Sequence, residues 1–422
     1  MIHTVSQGET AYSIANQYGV SVERLIYDNE IINPDKLILG QSLIILFPEI
    51  THQISPGESL YSISEAYNVP ILNIIRNNPY IVESEQLSPG ETIIIKYQEP
   101  KIGRLNINGY AYPYIEDSIL SEALIFLSDL SIFSYGFDAQ GNLIPVDDSR
   151  LIASAQNYDV SPILVLTPFG EDGKFNNNLI TNLTNNPQAR NNLINNLLST
   201  VRTKGYYGVD VDFEFILPQD KNAYSNFVGE LKTAMNNEGY RVSVALAPKT
   251  SANQTGALYE GIDYKTLGKN ANSVLLMTYE WGYTYGPPMA VAPLNSVKKV
   301  LDFAITQIPA SKIDMGMPNY GYDWPLPYVK GLTEAKVIGN HEALRIAYDN
   351  NSTIMFDNTA MLPYFEYSKN GVKHIIWFED ARSIDAKIRT AVQYGFRGIG
   401  YWNIMKQFRQ NFVVLNSLVN II

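Results

Sequence analysis

The first hundred residues are one segment written twice. His3-Thr4-Val5, Gly8-Glu9-Thr10 and Tyr12-Ser13-Ile14 return as His52-Gln53-Ile54, Gly57-Glu58-Ser59 and Tyr61-Ser62-Ile63, each 49 residues later. The match continues through Tyr18 and Tyr67, Leu25 and Ile74, Asn29 and Asn78. After one inserted residue, Leu37-x-x-Gly40-Gln41 meets Leu87-x-x-Gly90-Glu91. Self-similarity at a fixed period marks each copy as one folding unit. Each unit reads as a strand, two helices and a closing strand, a βααβ module punctuated by Gly and Pro. At about 45 residues such a unit lies near the lower limit for a self-sufficient core, so almost every apolar position in it must be buried. The modules are expected at residues 1–48 and 49–98, with Gln98-Glu99-Pro100-Lys101 linking them to a domain at residues 99–422.

That domain alternates short apolar runs with amphipathic stretches. Strands are expected at Arg104–Tyr110, Ala123–Leu127, Ile163–Thr167, Gly208–Glu214, Arg241–Ala247, Ser273–Tyr279, Ile313–Met317 and Arg397–Trp402. Eight strands alternating with helices predict an α/β fold of the (β/α)8 TIM-barrel type. Between them, Asn186-Pro187 supplies a helix cap and first-turn proline, Leu193, Ile194, Leu197, Leu198 and Val201 form one stripe, and Gly205 stops it. The domain is longer than a minimal barrel needs. Lys369-Asn370-Gly371-Val372, set between apolar segments, is a two-residue hairpin signal, so a small α+β insertion is expected near residues 332–380.

Chemistry concentrates on the fourth strand, Gly208-Val209-Asp210-Val211-Asp212-Phe213-Glu214. A strand has period two, so the three acids share one face, which in a barrel is the lumen. Carboxylates about 7 Å apart repel in a low-dielectric interior, and at least one is expected to hold a proton near neutrality. Glu214, last on the strand and nearest the carboxyl-terminal mouth where barrel sites lie, is the candidate general acid.

Composition removes other chemistries. The net charge is −11, and residues 1–100 carry 4 basic and 12 acidic side chains, so no basic footprint for nucleic acid is present. Cysteine is absent and the four histidines fall in no ligand spacing, so neither a metal nor another cofactor is expected. The amino terminus lacks a basic start and no apolar run could span a bilayer, so neither an export signal nor a membrane segment is expected. A monomer is expected.

The repeats resemble LysM modules, from the first Val-x-x-Gly-Glu to the closing Gly-Gln/Glu. That resemblance implies binding of N-acetylglucosamine-containing glycans, with two copies acting together. The acidic strand resembles the Asp-Gly-x-Asp-x-Asp-x-Glu signature of glycoside hydrolase family 18, with Tyr207 in place of the first Asp. The resemblance implies substrate-assisted, retaining hydrolysis, outside the two-carboxylate scheme. Glu214 would be the acid and base, Asp212 would orient the substrate's acetamido group, Asp210 would modulate Asp212, and Tyr279 would hydrogen-bond the acetamido oxygen. Met277-Thr278-Tyr279-Glu280 matches the family's Met-x-Tyr-Asp, with Glu280 one methylene longer. Trp402 matches its tryptophan floor, and Met317-Pro318-Asn319-Tyr320 its seventh-strand segment, so Met277, Glu280, Trp402, Asn319 and Tyr320 are the implied substrate contacts. The third strand, Leu164-Val165-Leu166-Thr167, lacks the family's Ser-x-Gly-Gly.

Two LysM modules before such a barrel are similar to the cortex-lytic N-acetylglucosaminidases of endospore-forming bacteria. This implies peptidoglycan as partner and a location at the coat/cortex boundary of the spore. A chitinase-type hydrolase and a catalytically silent glycan-binding or spore-coat protein are the alternatives, the silent form being disfavoured by the presence of Glu214.

Overall fold

The structure, a computed structural model, describes residues 1–84, 87–170 and 173–422, with backbone alone at Glu83 and Ser84. In the first module the strands Ile2–Thr4 and Ser42–Ile44 pair antiparallel around the helices Ala11–Tyr18 and Val22–Asp28. The second has Pro48–Gln53 paired with Thr92–Tyr97 around Leu60–Tyr67 and Ile71–Asn77, with a further short helix, Tyr80–Ser84. The repeated Thr10-x-x-Ser13 and Ser59-x-x-Ser62 are reciprocal capping boxes that start the first helix of each module. Asn29 and Asn78 explain their own repetition. Each buried amide donates to a carbonyl of the second helix and to the closing strand, and accepts from that strand at 2.7 Å and 2.8 Å, satisfying backbone groups where helix meets sheet.

Eight parallel strands form the barrel: Gly103–Ala111, Asp129–Phe137, Ser161–Leu166, Gly208–Val211, Arg241–Leu246, Ser273–Leu276, Ile313–Pro318 and Gly398–Trp402. Each pairs with the next, and the last closes on the first with Gly398 opposite Asn106. The second strand corrects the sequence reading. Ala123–Leu127 is the buried end of the helix Asp117–Leu124 and the turn after it, and the strand is Asp129–Phe137, every residue of which is buried. A short apolar run has no period of its own, and here the helix claimed it. Outward residues of the fourth strand region, Val209, Val211 and Phe213, are buried under helices, and Phe213 stacks on Phe137, Tyr224 and Phe227 at 5.6–6.0 Å. That leaves the even-numbered acids facing inward.

Between the seventh and eighth strands lies a five-stranded antiparallel sheet, in the order Lys336–Ile338, Gly321–Leu326, Val372–Trp377, Leu362–Lys369, Met355–Asp357, with the helix Asn340–Asp349. It begins at Gly321, ahead of residue 332, because the seventh strand runs almost directly into its second strand in the sheet. Asn370 (φ 51°) and Gly371 (φ 79°) form the expected hairpin turn, with Lys369 opposite Val372.

The modules are docked on the barrel, not suspended from it. The helix that follows the eighth strand, Arg409–Leu418, presents Gln410, whose amide donates to Asn29 Oδ1 and the Ser42 carbonyl, both at 2.9 Å, and Asn416, which donates to the Arg76 carbonyl and Asn77 Oδ1. Arg409 lies 3.9 Å over the Tyr27 ring. At Gly40 the module meets the insertion so closely that a Cβ would sit 2.0 Å from the Ile354 carbonyl oxygen. Among the described residues no helix is long and apolar enough to cross a membrane.

Candidate active site

The fourth strand ends at Val211, short of the expected Glu214, so Asp210 lies on its inner face while Asp212 and Glu214 follow on the segment that leaves it toward the mouth. Asp210 is buried opposite Ser243 of the fifth strand, whose hydroxyl donates to Oδ1 at 2.6 Å, while Tyr110 of the first strand donates to Oδ2 at 2.8 Å. Asp212 is also buried, and its Oδ1 has no hydrogen-bond partner among the described residues. Glu214 is only half-buried, just past the last paired residue, Val211. Phe215 then takes φ 54°, a left-handed conformation costly for a bulky side chain, and turns the chain away from the mouth.

Glu214 and Asp212 open onto a cavity of about 280 Å³, walled by Tyr112, Phe133, Phe169, Tyr259, Tyr279 and Trp402, with Met277 and Glu280 on the side of the sixth strand. Trp402 packs edge-on to Phe133 at 5.0 Å, Tyr110 at 5.7 Å and Tyr112 at 6.2 Å, which holds its ring at the cavity wall. Gly316 makes room for Tyr279, since a Cβ there would come within 2.8 Å of its ring. An apolar, aromatic cavity with a few converging polar groups is the usual form of a small-ligand or sugar site.

Burial raises all three acids of the strand. For Asp210 the hydrogen bonds from Ser243 and Tyr110 work against that rise. Asp212 is raised well above the ordinary carboxyl range by burial, then by the charges of Glu214 and Asp210. Glu214 is raised by burial and by the nearby charge of Glu280. The row therefore retains protons where isolated carboxylates would have lost them. Tyr279 is likewise pushed up by burial and by the surrounding acids, so its hydroxyl stays a hydrogen-bond donor.

Six of the nine residues singled out in the sequence line this cavity: Asp212, Glu214, Met277, Tyr279, Glu280 and Trp402. Asp210 lies one step below. Tyr320 is buried and donates to Glu280 Oε1, joined by Tyr322, whose hydroxyl is 3.0 Å from both oxygens, so it braces the wall instead of forming it. Asn319 is placed elsewhere, its amide donating to the carbonyls of Asn403 and Lys406 and tying the turn after Trp402. Tyr110, Tyr112, Phe133, Phe169 and Ser243 were not singled out. Tyr110 and Ser243 carry a readable signal, polar groups on inward positions of apolar strands, whereas the others are ordinary core aromatics until the barrel closes. Among the described residues no group of His, Asp or Glu is placed to hold a metal ion.

The family model for glycosyl hydrolases family 18 matches residues 163–406, and the LysM domain model matches residues 3–46 and 52–96. The chain belongs to glycosyl hydrolase family 18. This family 18 chain is 38% identical to the cortical fragment-lytic enzyme of Bacillus subtilis (strain 168), over 100% of this chain and 98% of that protein. It is 37% identical to the cortical fragment-lytic enzyme of Bacillus anthracis, over 98% of this chain and 97% of the other. It also superimposes on the crystal structure of the Bacillus cereus spore cortex-lytic enzyme SleL with a TM-score of 0.83 and 34% identity, covering 99% and 98% of the two chains. It is a glycoside hydrolase with two LysM modules ahead of its barrel.

Proposed function

We propose that this family 18 hydrolase cleaves spore-cortex peptidoglycan as an N-acetylglucosaminidase, at the coat/cortex boundary, while the LysM modules grip the same glycan. The relatives support the substrate through the activity in their names. What carries the mechanism is the graded row of acids, and above all the buried, unpartnered Oδ1 of Asp212 beside a cavity that Tyr279 also reaches. An N–H of the substrate would complete that oxygen.

The proposed steps are those the family resemblance implies, and the geometry supports them. The sugar at the cleaved bond lies over Trp402 with its 2-acetamido group toward Asp212 and Tyr279. Tyr279 donates to the acetamido oxygen, and Asp212 accepts from the acetamido nitrogen, aiming the oxygen at the anomeric carbon. As that C–O bond forms, the glycosidic bond breaks and its oxygen takes the proton of Glu214. The resulting oxazolinium is stabilised by Asp212. Water then attacks the anomeric carbon from the vacated side, losing a proton to Glu214, and configuration is retained. Asp210, anchored by Tyr110 and Ser243, tunes Asp212 through its charge.

Incubation of the full chain and of Glu214→Gln with cortex fragments and with chitooligosaccharides, followed by mass spectrometry of the products, tests this reading. New reducing ends at N-acetylglucosamine from cortex fragments, absent with Glu214→Gln although the fragments still bind, are the expected outcome. Equal product from both proteins removes Glu214 as the acid, and turnover of chitooligosaccharides alone makes the chain a chitinase.

A further inference from the structure

A second cavity, of about 260 Å³ and sharing no residue with the first, lies where the second LysM module, the linker and the end of the barrel chain meet. Arg76 from the module and Lys101 from the linker both line it, with Asn73, Tyr97, Asn416 and Asn420 among its walls. Arg76 is only 8% exposed. Its Nε donates to the Ile125 carbonyl at 2.6 Å, but among the described residues its two terminal nitrogens have no hydrogen bond and no carboxylate pairs with it. Lys101 Nζ has one long contact, 3.4 Å, to Asn416 Oδ1. Lys96, also on the wall, is already paired with Glu49 at 2.8 Å. Glu99, the carboxylate on this wall, is exposed and also faces the cavity beside Met1.

Two cations facing one pocket without an ion pair go against ordinary construction. A guanidinium does not shed its proton, so one this enclosed is normally paired. Burial pulls Arg76 down to about 10, and burial together with the like charge of Arg76 pulls Lys101 down to about 8. The modules are otherwise strongly acidic, so this positive pocket is local. Its asparagine walls offer further amide donors.

We propose that this junction cavity binds a carboxylate of the peptidoglycan polymer through the terminal nitrogens of Arg76 and the Nζ of Lys101. This rests on the reading of the chain as a peptidoglycan hydrolase. The carboxylate is one left free on a peptide joined to muramic acid or on a muramic acid whose lactyl group carries no peptide, since a lactyl carboxyl in an amide or lactam is no longer an anion. Engagement would couple the polymer to the seam between module and barrel, at a point that neutral N-acetylglucosamine oligomers do not address.

The test uses the full chain, with N-acetylmuramic acid, a free stem tripeptide, an N-acetylglucosamine oligomer and inorganic phosphate as separate probes. Acylation of Lys101 by an amine-selective reagent near pH 8 is followed by peptide mass spectrometry, and affinity by calorimetry. At least one carboxylate probe should slow Lys101 labelling fivefold or more, and its affinity should fall at least tenfold in Lys101→Met and in Arg76→Gln. The neutral oligomer should be unaffected, and Lys101→Met should hydrolyse short soluble substrates normally. Arg76→Gln carries the burden of a buried site, but Lys101→Met alters a linker side chain that lines the cavity and still reaches solvent, and keeps the test decisive if the other fails to fold. Lack of protection by both carboxylate probes, equal protection by phosphate, or unchanged affinity in Lys101→Met overturns the proposal. The protection and affinity arms do not depend on turnover, so loss of the activity reading would appear in the product analysis while carboxylate protection persisted.

Discussion

Removing the two donors to Asp210, singly and together, tests whether the acid row carries charge in the folded barrel. Tyr110→Phe deletes only a hydroxyl, leaving the ring against Trp402 and a buried carboxylate that loses a 2.8 Å bond. A hydrogen bond to a charged group contributes about 2 kcal/mol, and Ser243→Ala, losing a 2.6 Å bond, should cost a similar amount. At the size of this barrel about 2 kcal/mol corresponds to roughly 5 °C in melting temperature. Burial already raises Asp210 and the two donors oppose the rise, so each deletion raises it further. A carboxyl raised in the folded state contributes stability at low pH that is lost as pH climbs to its folded value, and in each variant that loss should continue to higher pH. The penalty should therefore be full near pH 8 and shrink towards about 1 kcal/mol, a neutral hydrogen bond, in acid. In the double variant Asp210 is raised furthest and the two lost bonds share one carboxyl, so the combined cost at pH 8 should be about 3 kcal/mol, short of the sum. Denaturant unfolding of the four proteins at both pH values gives all the terms. Single penalties below about 0.5 kcal/mol would refute the claim that Asp210 is ionised there, and strict additivity at pH 8 would refute the coupling of the two bonds through one carboxyl.

Asp212→Asn should abolish hydrolysis while raising stability at neutral pH, because the raised carboxyl is destabilising once ionised; the stability gain should vanish in acid. Glu280→Gln removes the charge that helps raise Glu214, so the basic limb of the kcat/KM profile, where the acid loses its proton, should move to lower pH; an unmoved limb would disconnect the two residues. Deleting residues 1–97 should weaken sedimentation with insoluble peptidoglycan and spare short soluble substrates, as read by pull-down and by product release. The same deletion should lower the melting temperature of the barrel, since it strips the partners of Gln410 and Asn416.

Much of this was legible in the chain because the signals were periodic. Two-residue spacing aimed Asp210, Asp212 and Glu214 at one face, the Asn370-Gly371 dipeptide marked its hairpin, and the repeat exposed both modules before any fold was known. What failed lacked periodicity. Ala123–Leu127 is equally apolar as helix end or strand, and only the position of Asp129–Phe137 decides between them. Asn319 sits in a motif but spends its amide on a neighbouring turn, which spacing alone does not reveal. The cavity wall combines Tyr112, Phe133 and Phe169, which become neighbours only when the barrel closes. Docking of the modules was equally invisible, because it rests on polar contacts between residues more than three hundred positions apart.

That docking has a mechanical consequence. The helix Arg409–Leu418, which holds both modules, follows the strand ending in Trp402 by a few residues. On the proposed function, grip and blade are mounted on a single bracket, so the distance between the point where the polymer is held and the point where it is cut belongs to the fold. A longer linker at Gln98–Lys101 would leave that span unchanged; loosening the docking contacts, those of Gln410 and Asn416 among them, would let it vary.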